Sequence, residues 1–236
     1  MSQLFFSLSV SMGIMITYGS YVKDDVDLNK AVNQIEIFDT GVALLAGAMI
    51  IPAVYVFSGT EGMSAGPSLM FISLPKVFAA MGKAGTVVGL LFFITTIFAT
   101  LTSCISVLES ITANCMEIFH TSRKRTVLVL TVIYLAASAV IALGYSVFYF
   151  EVKLPNDSVG QMLDIMDYIS NSVMMPLIAL LSTVLIGWIK TPDYVIGEME
   201  RNGETFRRKK LYTIMIRYVA PVMMLVLFMQ STGILA

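Results

Sequence analysis

Six apolar runs decide what this chain can become. They cover roughly residues 4–22, 37–58, 86–118, 126–146, 162–189 and 211–233. Each is near or above the ~20 residues that a helix needs to cross a bilayer. The whole chain agrees: 57% of its 236 residues are hydrophobic and 13% are charged, against roughly 25% charged in a soluble domain. Lipid offers no water to a bare peptide group, so runs of this length have to be helices that satisfy their own backbone. The residues therefore predict an all-α, polytopic membrane protein of about six transmembrane helices, forming a single transmembrane region over 1–236. A net charge of −1 excludes the basic face that a nucleic-acid partner requires.

The connections alternate in charge. Loops 23–36, 119–125 and 190–210 hold Lys23, Lys30, Arg123, Lys124, Arg125, Lys190, Arg201 and the run from Arg207 to Lys210, whereas 59–85 and 147–161 hold only Lys76, Lys83 and Lys153. The positive-inside rule assigns the first set to the cytoplasm of a multi-pass protein in the cell membrane, with both termini outside. Segment 23–36, KDDVDLNKAVNQIE, is polar enough to form only a loop or a surface helix. Segment 59–85 has an apolar pattern with Gly66-Pro67 as a start and Pro75 as a breaker, which predicts two short helices over the outer face. Pro155-Asn156-Asp157 predicts a turn, and Pro52 a kink in the second span.

The first run departs from a plain span. Phe5 to Val22 reads FFSLSVSMGIMITYGSYV, with Ser7, Ser9 and Ser11 at alternate positions before Gly13. A continuous helix turns by about 100° per residue and scatters the three hydroxyls; an extended segment aligns them. Two structures satisfy this pattern. One is an ordinary span whose serines bond back to their own carbonyls. The other is a broken helix at mid-membrane, whose freed carbonyls serve a cation and whose half-helix N-terminus serves an anion.

The remaining polar residues leave similar pairs of alternatives. Asp39, near the start of the second span, is a headgroup residue, an N-cap or a buried anionic ligand. In the third span Ala99, Thr102, Ser103, Ser106, Ser110, Ala113 and Glu117 recur at steps of three and four. Such a small-residue stripe packs helices closely, and that account suffices for Ser110 and Ala113. A carbonyl freed near Ala99, with the Thr102 and Ser103 hydroxyls one turn on, also offers the oxygens that hard cations prefer. Asp164, Asp167 and Asn171 share one face at the start of the fifth span, as hydrated interfacial residues or as a gate. Arg217 can snorkel to the headgroups. Cys104 and Cys115 lie too far apart on one helix to be bridged and read as buried small residues. His120 is the only histidine, so metal-ligand clusters are missing.

FFSLSVSMGIMITYGSYV resembles, without a gap, the sixth span of the neurotransmitter:sodium symporter family, the LeuT-type amino acid transporters. The resemblance continues through IPAVYVFSG, GPSLMFISLP, ATLTSC, MLDIMDYISN and MIRYVAP. It covers the whole chain but only the family's spans six to eleven. It implies part of an inverted-repeat fold with a broken first helix, and five spans missing ahead of Met1.

Further expectations follow from the resemblance alone. Ser7 and Asp39 match ligands of the first sodium site. Ala99 (through its carbonyl), Thr102 and Ser103 match half of the second. Phe6, Ser7, Ser9, Met12, Ser103 and Val107 match positions around an amino acid substrate, with Phe6 as an aromatic lid. Met12 suits a hydrophobic side chain. Asp167 matches the outer gate and Glu117 the inner gate, each paired in the family with arginines of the absent half. The implied function is the C-terminal part of a sodium-coupled amino acid symporter working by alternating access, with Na+ as coupling ion and no other cofactor. The alternative is a truncated, non-transporting module that assembles with another chain. An intramembrane enzyme is disfavoured: the aspartates have the wrong depth and spacing for a carboxylate pair, and His120 sits at a span end.

Overall fold

The computed structural model describes residues 10–59, 69–155 and 159–234. A 3-10 turn, Val10–Met12, leads into helix α1, Ile14–Tyr21. Then come α2 (Leu28–Ser58), α3 (Leu69–Ala80), α4 (Lys83–Phe119) and α5 (Arg123–Leu143). A short antiparallel ladder pairs β1 (Val152–Lys153) with β2 (Val159–Gly160). The chain closes with α6 (Met162–Ile189), α7 (Pro192–Met199) and α8 (Lys209–Ser231). Among the described residues, α2, α4, α5, α6 and α8 are long and apolar enough to cross a membrane. The protein is thus the all-α, polytopic membrane fold that the apolar runs dictate, and among the described residues of its first run the α-helix is the segment after Gly13.

Several details differ from the expectation. The polar segment 23–36 is not separate from the second span: helix starts at Leu28 and runs unbroken to Ser58, with Pro52 inside it. Asp39 therefore lies in a helix interior and cannot be an N-cap. In the outer segment, Pro75 breaks nothing. It sits in the first turn of Leu74–Ala80, where its missing N–H costs little, and a π-turn over Leu69–Ser73 feeds straight into it. Gly66-Pro67 and the Asn156-Asp157 turn lie outside the described residues. Cys104 is exposed and Cys115 half-buried, so neither is the buried residue expected.

The chain packs as two units, Val32–Ser106 and Met1–Ala31 with Val107–Ala236. In the first, Val54, Leu74 and Val77 form a buried core, with Ile50, Phe78 and Phe92 packed against it. Phe78 stacks edge-on to Phe93 and tilts against Phe92.

In the second unit α6 and α8 pack together, burying Met175, Ala179 and Met224. Both helices carry π-helical turns, at Tyr168–Met174 and Leu185–Ile189 in α6 and Met215–Val219 in α8. Widening to an i→i+5 pattern loosens the local ladder and leaves carbonyls to be satisfied from elsewhere. Two of these turns serve each other. Arg217 Nε donates to the Gly187 carbonyl at 3.0 Å, and Trp188 Nε1 donates to the Arg217 carbonyl at 3.1 Å. Arg217 is thus tied to the backbone of α6 rather than snorkelling. The approach needs a glycine: a Cβ on Gly187 would lie 2.9 Å from the Ile216 carbonyl oxygen.

One end of this unit gathers charge. Arg201 lies 3.4 Å from Asp24, Asn202 donates to the Asp24 carbonyl, and Asn29 donates to the Met199 carbonyl at 3.3 Å. Lys209 binds Glu200 at 2.6 Å, and the Phe206 amide donates to the same carboxylate. Those two donors, Lys209 first, hold Glu200 below the usual glutamate range. Segments 23–30 and 198–209 therefore lie against each other.

Gly187→Ala should destabilise the chain by about 1–3 kcal/mol through overpacking, read as a lower Tm in detergent. Gly197→Ala, where a Cβ meets nothing within 4 Å, should be neutral or slightly stabilising. Equal behaviour of the two variants would contradict the interlock.

Candidate functional site

The interrupted first run is built around one residue. Gly13 has φ 76°, in the left-handed region, which costs an L side chain about 1–2 kcal/mol. It ends the 3-10 turn and caps α1, without a side-chain cap of its own. Its carbonyl accepts both the Thr17 amide at 3.0 Å and the Thr17 hydroxyl at 3.1 Å. The same hydroxyl oxygen lies 3.2 Å from Ser110 Oγ on α4, within hydrogen-bond distance, and Ser110 is 2% exposed. A Cβ on Gly13 would stand 3.4 Å from that oxygen. The break is therefore pinned to α4 through Thr17. The turn before it packs against the Met175–Val184 part of α6. Ser11 is buried there with its hydroxyl unpartnered.

The expected site residues fall as follows. Phe6, Ser7 and Ser9 lie outside the described residues. Met12 is half-buried at the end of the 3-10 turn, and Val107 is half-buried on α4. Ala99, Thr102 and Ser103 occur in α4 as regular helix. No break frees the Ala99 carbonyl; instead Thr102 Oγ1 and Ser103 Oγ both donate to it, at 2.8 and 3.1 Å. The three oxygens still share one exposed patch. Asp39 is half-buried on α2 and Glu117 is exposed near the end of α4. Asp167, at the last residue before a π-turn, accepts a short hydrogen bond from Asn171 Nδ2. Asp164 plays a different part: it accepts from the Gln161 amide in a capping box.

Sequence reasoning missed a polar cluster. Glu109 on α4 accepts from Tyr21 Oη at 2.8 Å and from Arg123 Nη2 at 2.5 Å. One carboxylate, 18% exposed, so joins the end of α1, the middle of α4 and the start of α5. The signal was present. Glu109 is one of two acids in the apolar run 86–118, and an acid in a membrane span marks a paired group. Thr17 and Tyr21 are also four apart on α1 and so share a face.

His120 follows the last residue of α4 in a left-handed conformation, φ 50°. Among the described residues no group of three His, Cys, Asp or Glu side chains is placed to hold a metal ion. An alkali ion does not need one, because hydroxyl and carbonyl oxygens suffice.

Glu109→Leu, which strips Tyr21 and Arg123 of their shared acceptor, should lower Tm by several degrees. Glu109→Gln keeps an acceptor for Tyr21 and loses only an exposed ion pair of small worth, so its effect should be much smaller. Equal losses from the two variants would show that the charge, not the bridging geometry, matters.

Comparison with known proteins meets this geometry. Residues 1–235 match the Sodium:neurotransmitter symporter family. An uncharacterized sodium-dependent transporter of Methanocaldococcus jannaschii is 25% identical over 99% of this chain and 46% of its own length. One from Bacillus subtilis is 29% identical over 100% and 51%, and one from Haemophilus influenzae 30% identical over 98% and 49%. The crystal structure of MhsT in complex with L-phenylalanine superposes with a TM-score of 0.84 at 34% identity, covering 98% of this chain and 50% of that one. The chain spans about half the length of each of these proteins. By its helices, its interrupted first run and its match from end to end, this chain belongs to the Sodium:neurotransmitter symporter family.

Proposed function

We propose that this chain forms the second half of a sodium-coupled amino acid symporter that works by alternating access in the cell membrane, with loops 23–36, 119–125 and 190–210 in the cytoplasm. The observation that supports it most is the left-handed Gly13, which starts a half-helix inside an apolar run. That is how a membrane protein presents a helix N-terminus and bare carbonyls to a ligand.

In this proposal the second sodium takes the Ala99 carbonyl with Thr102 and Ser103. Their hydroxyl oxygens already lie 2.8 and 3.1 Å from the carbonyl oxygen. A hydroxyl that gives its proton to a carbonyl keeps lone pairs for a cation, so none of these bonds has to break. Ser7 and Asp39 would serve the first sodium, and Phe6, Ser7, Ser9, Met12, Ser103 and Val107 the amino acid. MhsT, similar over half its length, binds L-phenylalanine; with the pliable Met12 this favours a hydrophobic amino acid here. Asp167, oriented by Asn171, and Glu117 would gate the two mouths, each with an arginine supplied by spans outside this chain. Those spans could belong to the same polypeptide or to a partner chain. Each sodium driven inward carries about 2.3 kcal/mol per 100 mV, which is how the gradient would power uptake.

Labelled L-phenylalanine should bind the reconstituted transporter containing these residues only in sodium, and choline replacement should abolish binding. Thr102→Ala and Ser103→Ala should each weaken sodium affinity by about tenfold or more, since bonds to a charged group are worth about 1.5–3 kcal/mol. Sodium-independent binding, or unchanged sodium affinity in both variants, would overturn the proposal.

A further inference from the structure

We infer that the basic end of α5 holds an anionic phospholipid, its headgroup on Lys124 and Arg125 and an acyl chain in the groove beside them. Helix α5 opens with Arg123, Lys124 and Arg125. Arg123 is taken by Glu109. Among the described residues, Lys124 and Arg125 have no anionic partner, and both are exposed. Two net positive charges therefore stand at one helix end with nothing to neutralise them.

Each borders an apolar hollow. On one flank of α5 a groove of about 270 Å³ is lined by Cys115 and Phe119 of α4 and by Arg125, Val129, Leu130 and Ile133. On the other flank a more open hollow of about 640 Å³ has Lys124 at its end and Val127, Leu128 and Val132 along it. From Arg125 to Ile133 the first groove follows α5 for about 12 Å. Beneath it, Thr126 is buried and its hydroxyl is spent on Thr121 and the Ser122 carbonyl, so the floor offers no competing polar group.

A ligand that fits must be negative at one end and apolar at the other, and lie along a membrane helix with its head at the helix end. An anionic phospholipid has that form. Basic residues beside a membrane attract anionic lipids in any case; the groove turns that diffuse attraction into a site. The inference stands on α4 and α5 alone and is independent of the proposed transport.

The test uses native mass spectrometry of the full chain, offered phosphatidylglycerol and phosphatidylcholine of identical acyl chains. Phosphatidylglycerol should be retained about tenfold better. Lys124→Gln with Arg125→Gln should abolish that preference. Arg207→Gln with Arg208→Gln, the same charge change on a loop without a groove, should leave it intact. Val129→Trp, which fills the groove and keeps both charges, should release the lipid. Equal retention of the two lipids, equal effects of the two charge pairs, full retention in Val129→Trp, or a lipid-free dimer at this face would each overturn the inference.

Discussion

A peptide group that leaves a helix inside hydrocarbon has no water to turn to, and leaving it bare costs several kcal/mol. Every irregular turn in this structure has to answer that constraint, and the answers organise the molecule. At Gly13 the answer is Thr17, which caps the Gly13 carbonyl twice and reaches on to Ser110. At the π-turns of α6 and α8 it is Arg217, which donates to the Gly187 carbonyl, and Trp188, which donates to the Arg217 carbonyl. At Tyr168–Met174 it is Ser231, whose hydroxyl donates to the Ser172 carbonyl. The polar side chains in these spans are thus largely spent on the backbone, which is why so apolar a chain carries them.

The same constraint separates what is pinned from what is offered. Thr17, Ser110 and Glu109 have their partners within the unit that contains them, and they hold α1, α4 and α5 together. Thr102 and Ser103 bond only to Ala99 of their own helix and stay exposed. In the proposed function these exposed oxygens are the ones offered to sodium, and the chain matches only about half the length of a sodium-dependent transporter of the same family.

Legibility in the sequence followed the strength of the local physics. Apolar runs of membrane length are unambiguous, so the helices were legible; the break was only one of two readings of the spaced serines and Gly13, and the resemblance favoured it. Helix ends were less so. Leu28–Glu36 is polar, yet helical propensity carries α2 back through it, and this moved Asp39 from a helix start to an interior. Arg217 looked like a snorkelling side chain because nothing in its neighbourhood betrays a π-turn 30 residues earlier. Glu109 escaped because its partners, Tyr21 and Arg123, come from distant helices. The helical back-bonds of Thr102 and Ser103 also kept the Ala99 carbonyl in a regular helix, where a freed one had been expected.

Backbone amide exchange across Val10–Thr17, measured on the chain in lipid nanodiscs, tests the central claim most directly. If the helix is interrupted at Gly13, the amides of Met12 to Ile14 exchange much faster than that of Thr17, which the Gly13 carbonyl protects. Uniformly slow exchange through the whole stretch would mean an unbroken helix and would contradict the account.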